Sequence, residues 1–118
     1  MRRQIGDCTL YLGDCREIMP TLHSLDVVIT DPPYPDIAKD FSITPIDFLA
    51  DLTCRQLVFW SAVEEFPLLW SAIHIWHKPN GNSSHHYERI FELNGKKLAG
   101  FFGKLLFCLI MYSIDMSA

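Results

Sequence analysis

The sequence lacks an apolar segment behind Met1-Arg2-Arg3, which argues against a secretory signal and makes a cytoplasmic location the expectation. Its four cysteines, Cys8, Cys15, Cys54 and Cys108, include no CxxC pair. In that setting they read as reduced thiols, and a disulfide framework or a zinc site is not expected. Basic charge is scarce as well: 10 lysines and arginines stand against 14 aspartates and glutamates, a net charge of −4. Any hold on nucleic acid phosphates must then rest on local basic clusters. There is no internal repeat and no low-complexity tract, which removes repeat architectures from consideration.

What is present is a globular composition, 49% hydrophobic and 20% charged, on a chain of 118 residues. That length supports one small domain with a real core but is short for a doubly wound nucleotide-binding unit. Thr9 to Leu12 has strand composition and is punctuated by Gly13-Asp14-Cys15; Arg16 to Leu22 predicts a short helix ending near Pro20. The Val-Val-Ile run within Leu25 to Thr30 suits burial on both faces, as in a parallel strand, so the two strands predict a crossover unit. Ile46 to Leu52, behind Thr44-Pro45, carries apolar residues at helical spacing. Gln56 to Trp60 predicts a third strand, and Ser61 to Leu69 a helical turn broken by Pro67. Ala72 to His77 alternates at period two, Pro79 to Ser84 has turn chemistry, and Tyr87 to Leu93 returns as a strand ended by Asn94-Gly95. From Leu98 to Ala118 the chain is almost uncharged, and Leu105 to Tyr112 is unbroken apolar sequence, too short for a membrane span.

The most specific motif is Asp31-Pro32-Pro33-Tyr34, directly after the apolar strand Leu25 to Thr30. An aspartate there sits at the carboxyl edge of an α/β sheet, where such folds bind ligands. The prolines stiffen the loop and contribute no N–H, so its carbonyls and the Asp31 carboxylate accept hydrogen bonds and donate none. The complement of that surface is an exocyclic amino group. A plain strand-ending turn is the competing reading, since proline and aspartate favour such places.

The order strand, Gly13-Asp14-Cys15, short helix, strand, Asp31-Pro32-Pro33-Tyr34 resembles the amino-group DNA methyltransferases, which methylate adenine N6 or cytosine N4 with S-adenosylmethionine. The stretches Ile73 to Asn80 and His86 to Phe91 are similar to the closing antiparallel hairpin of that fold, so the resemblance covers residues 5–96. It implies an α/β fold, a partial class I methyltransferase-like (Rossmann-like) sheet with a C-terminal antiparallel hairpin. It also implies roles. Asp31 and the Pro32 carbonyl hold the target amine with its lone pair toward the methyl donor, which is catalysis by positioning. Pro33 stiffens the motif, and Tyr34 stacks on a base rotated out of the duplex. No covalent step is implied, so no cysteine has a nucleophilic role. Asp14 matches a position near the cofactor's adenine, although it serves equally as a helix N-cap. Aspartate at the first motif position leans toward adenine N6 and toward DNA.

The sequence departs from the family in one respect: no Phe-x-Gly-x-Gly loop follows a strand, and Phe101-Phe102-Gly103 is the nearest approach. The strands that carry that loop also separate Thr9 to Leu12 from Leu25 to Thr30 in the family's sheet. Without them one side of Leu25 to Thr30 is expected to be an unpaired edge, a route to self-association. The expected organisation is therefore a methyltransferase-like half over 1–97 and an apolar tail over 98–118 that marks a truncated or frame-shifted end. The expected activity is that of a fragment inactive alone, with a non-catalytic nucleotide- or DNA-binding remnant as the alternative. Lys78, Asn80, Ser83 and His85 form a polar loop that is the expected DNA contact. His74, His77, His85 and His86 invite a metal-dependent nuclease, yet His74 and His77 point to opposite faces of one strand, and no metal is expected.

Overall fold

The computed structural model describes residues 1–32, 46–79 and 85–95, and the backbone of 109–110. Its centre is the sequence Arg55-Gln56-Leu57-Val58-Phe59-Trp60, whose alternation buries Gln56, Val58 and Trp60 on one face and leaves the others half-buried. We number the strands in chain order: β1 Arg2–Ile5, β2 Cys8–Tyr11, β3 Val27–Thr30, β4 Arg55–Trp60, β5 Ala72–His77, β6 Tyr87–Leu93 and β7 Leu109–Ile110. Five of them form a mixed sheet in the order β5-β6-β4-β3-β7, and β1 and β2 form a separate two-stranded sheet. The fold is mixed α/β, mostly strand.

Within the large sheet β3 and β4 are parallel, with Val28 opposite Gln56 and Thr30 opposite Val58. β6 runs antiparallel to both of its neighbours, β4 and β5. The expected closing hairpin is therefore present, and its returning strand inserts between β5 and β4. The buried face gathers Ile46, Leu49, Val58, Trp60, Phe91 and Leu93, flanked by Phe48, Leu52, Phe66 and Leu68. Asn94, at φ +56, ends β6 by donating from Nδ2 to the carbonyls of Leu52 and Cys54, both at 3.0 Å. Asparagine tolerates that left-handed backbone better than most residues.

Four expectations are corrected. Thr9 to Leu12 does not join the sheet of Leu25 to Thr30: β2 pairs antiparallel with β1, Ile5 opposite Cys8, across a two-residue turn in which Gly6 takes φ +56. A local hairpin with glycine in its turn needs little loop closure, whereas a crossover needs a long one. The helix is shorter than predicted, α1 Cys15–Ile18 followed by a 3-10 turn at Met19–Thr21. The predicted helix at Ile46 to Leu52 is 3-10 as well, over Asp47–Asp51, with Leu49 N–H bonded to the Ile46 carbonyl at 2.9 Å. Ser61 to Leu69 forms no helix, because Ser61 Oγ accepts from the Val63 and Glu64 amides while Arg89 donates to the Ser61 and Glu64 carbonyls. Side chains have taken the groups a helical turn would use.

The fifth correction concerns the sheet edge. β7 lies parallel to β3, Leu109 opposite Ile29 and Ile110 opposite Thr30, on the side of Leu25 to Thr30 expected to be unpaired. A buried strand edge needs hydrogen-bonding partners, and the apolar tail contributes them. The rest of 98–118 lies outside the described residues.

Gln56 gives a test of the packing. It is fully buried, its Nε2 donates to the Leu49 carbonyl at 2.8 Å, and its Oε1 has no protein partner. One satisfied and one unsatisfied group roughly offset, since a hydrogen bond contributes about 1 kcal/mol and an orphaned buried acceptor costs about 1–3 kcal/mol. Gln56→Met is expected to change the free energy of unfolding by less than about 1 kcal/mol in urea denaturation; a loss above about 3 kcal/mol would show that Oε1 is satisfied.

Candidate functional site

Because β3 and β4 are parallel and β6 is antiparallel to both β4 and β5, the carboxyl ends of β3, β4 and β5 emerge on one edge of the sheet. Asp31 follows β3 there, exposed, with Pro32 half-buried behind it. Ser61 leaves β4 on the same edge, Lys78 leaves β5, and His85 lies just before β6 enters. Residues far apart in sequence, Asp31 on one side and Lys78 and His85 of the polar loop expected to meet DNA on the other, thus share one edge. From β3 to β5 is three strand spacings, about 14 Å. Pro33, Tyr34, Asn80 and Ser83 lie outside the described residues.

Lys78 is engaged: its Nζ donates to Glu88 Oε1 at 2.9 Å and sits 4.9 Å from the centroid of the Trp76 ring. That pairing neutralises the one lysine of the loop. His85 is exposed and meets the Tyr87 ring edge-on at 6.2 Å. The segment after β4 is firmly built. Besides the bonds from Arg89 and Ser61, Trp60 Nε1 donates to the Glu65 carbonyl at 3.2 Å. Arg89 also lies 5.0 Å from the Phe91 ring centroid. Sequence reasoning did not single out Arg89, since nothing local to β6 signals a partner 25 to 28 residues earlier.

Asp14 is committed to its own helix. Its Oδ1 accepts from the Arg16 amide at 2.9 Å, and both carboxylate oxygens accept from the Arg16 guanidinium. The Arg16 side chain, then the Arg16 amide, hold the Asp14 carboxyl below its ordinary value. Cys8, Cys15 and Cys54 are free thiols. Burial pushes the Cys15 and Cys54 thiols up, away from the thiolate that nucleophilic chemistry needs.

A second polar cluster lies at the opposite edge. Glu92, 7% exposed, accepts from Arg55 Nε at 2.6 Å through Oε1 and pairs with His74 Nε2 at 2.7 Å through Oε2, tying β4, β6 and β5 together. Burial pushes the Glu92 carboxyl up, but the hydrogen bonds from His74 and Arg55 outweigh it and hold it below its ordinary value. Among the described residues no group of three or more His, Cys, Asp or Glu side chains is placed to hold a metal ion, and no helix is long and apolar enough to cross a membrane.

Comparison with family models, with curated proteins and with solved structures finds no match to this chain.

Proposed function

We propose that the chain is the acceptor half of an S-adenosylmethionine-dependent adenine-N6 DNA methyltransferase, a partial class I methyltransferase-like sheet that holds the target amine and does not turn over alone. The observation that carries this reading is Asp31 at the carboxyl end of a parallel strand, on the edge of a sheet whose other side ends in an antiparallel hairpin. Asp31 accepts one N–H of the amine and the Pro32 carbonyl accepts the other, which aims the nitrogen lone pair out of the base plane. The residues do not fit the methyl donor. The chain has no Phe-x-Gly-x-Gly loop, and Asp14, the residue the resemblance assigns to the cofactor, is occupied by Arg16. The chemistry open to this chain is therefore binding. With Lys78 paired to Glu88, contact with DNA falls to Asn80, Ser83 and His85.

The test is a chemical-shift titration of the isotopically labelled chain with 2′-deoxyadenosine. Shifts are expected at Thr30 and Asp31, and Asp31→Ala is expected to weaken binding about 10–100-fold, the equivalent of one charged hydrogen bond of roughly 1.5–3 kcal/mol. The purine deoxyriboside that lacks the amine should be weakened similarly. Equal affinity for the two nucleosides, or no binding of either, would sink the acceptor reading. Calorimetric one-to-one binding of S-adenosylmethionine would overturn the claim that the donor half is missing.

A further inference from the structure

β5 closes one side of the five-stranded sheet, and among the described residues no strand pairs with its outer edge. Which backbone groups face outward follows from the ladder with β6. The Lys78 N–H donates to the His86 carbonyl at 2.6 Å, and that pair continues the register in which His77 faces Tyr87. Hydrogen-bonded and non-hydrogen-bonded pairs alternate along an antiparallel ladder. Ala72, His74 and Trp76 therefore bond inward, and the N–H and C=O groups of Ile73, Ile75 and His77 point away from the sheet.

Those three residues are symmetric about Ile75. A second copy set antiparallel about a two-fold axis through Ile75 brings Ile75 opposite Ile75 and Ile73 opposite His77, so every outward N–H and C=O of the three finds a partner. The side chains fit that register: His74 meets Trp76 on one face, and on the other Ile75 meets Ile75 while Ile73 meets His77. We propose that the outer edge of β5 is a self-pairing surface through which two copies of this chain join into one continuous sheet.

Three observations select a second copy as the occupant. Protections common on free edges are missing from the strand itself: Ala72 to His77 contains no proline and no lysine, and it pairs with β6 in unbroken register from Ala72 to His77. The strand has no acidic side chain and no lysine or arginine, so two copies meet there without like-charge opposition although each chain is −4 overall. The strand and the segment leading into it carry open apolar side chains, with Ile75 60%, Trp76 46%, Trp70 50% and Leu69 95% exposed. That surface adds to a six-residue pairing, which by itself falls short of the roughly 1,000 Å² a stable interface buries.

Light scattering of the full chain over a range of concentrations tests this, with two substitutions chosen by the phase of the ladder. Ile75→Pro removes an N–H that points away from β6, a position where an edge strand tolerates proline. Ile75→Lys sets two charges against each other at the axis. The expected wild-type mass rises from one chain to two with concentration, and both variants raise the dimer dissociation constant about tenfold or more with unchanged far-UV circular dichroism. If a variant fails to fold, amide exchange in the wild type decides: Ile73, Ile75 and His77 should exchange more slowly as concentration rises. A wild-type chain that stays monomeric, a dimer that survives Ile75→Lys, assembly beyond two copies, or exchange at those amides independent of concentration overturns the proposal.

Discussion

Phe91→Ala is expected to lower the free energy of unfolding by about 3–5 kcal/mol, measured by urea denaturation. Phe91 is 2% exposed on β6, opposite Val58 on one side and Ile73 on the other. Its ring stacks on Phe66 at 4.0 Å between centroids and 10° between planes, and Trp70 meets it edge-on at 5.9 Å. Truncation loses the transfer free energy of the ring and leaves a cavity. Collapse into that cavity is opposed by hydrogen-bonded strands on both sides, which puts the cost at the upper part of the large-to-small range. Small domains have only about 5–15 kcal/mol in total, so the variant should sit near its unfolding midpoint in mild denaturant. Phe91→Leu should retain more than half of the difference. A loss below about 1 kcal/mol for the alanine variant would mean that the aromatic stack is not the centre of the core.

Glu92→Gln is expected to cost about 1–3 kcal/mol at neutral pH and progressively less in acid. Glutamine keeps the shape but gives up the charge that Arg55 and His74 share. Charged hydrogen bonds contribute roughly 1.5–3 kcal/mol each. The full sum is not reached, because the Arg55 and His74 side chains are 32% and 51% exposed and rehydrate when released. The pH dependence has a definite sign. The Glu92 carboxyl is held below its ordinary value of 4.5 in the folded chain, so the unfolded chain takes up the proton first. The stabilisation is fully present above that value and is lost as pH falls through the lower native one. The stabilities of wild type and variant should therefore begin to converge once pH falls below 4.5. A gap that stays constant from pH 7 to pH 3 would assign the cost of the substitution to packing and not to charge.

The candidate site was only half legible in the sequence, for a physical reason. Asp31 could be located because it follows an apolar strand and precedes two prolines, all within a few residues. That Lys78 and His85 would share its edge depended on β6 running antiparallel between β4 and β5, a long-range pairing. The neutralisation of Lys78 by Glu88 depended on the same hairpin. Asp14 fitted two roles in the sequence, and the structure shows the N-cap, in which its Oδ1 accepts from the Arg16 amide. β1 was missed because all four of its residues are exposed. A strand with no buried face writes no alternation into the sequence.

The sequence by itself determined four strands of the large sheet, the hairpin that closes it and the place of Asp31 at the end of β3. Those features are written in apolar runs and period-two sequence patterning, in Asn94-Gly95 and in the prolines, all local. Only the tertiary structure decided which edges are covered. β2 pairs with its neighbour β1, β7 comes back beside β3, Glu92 collects partners 37 and 18 residues away, and among the described residues no strand covers the outer edge of β5. Edge pairing is a competition among distant segments for the same backbone groups, and no short stretch of sequence carries its outcome.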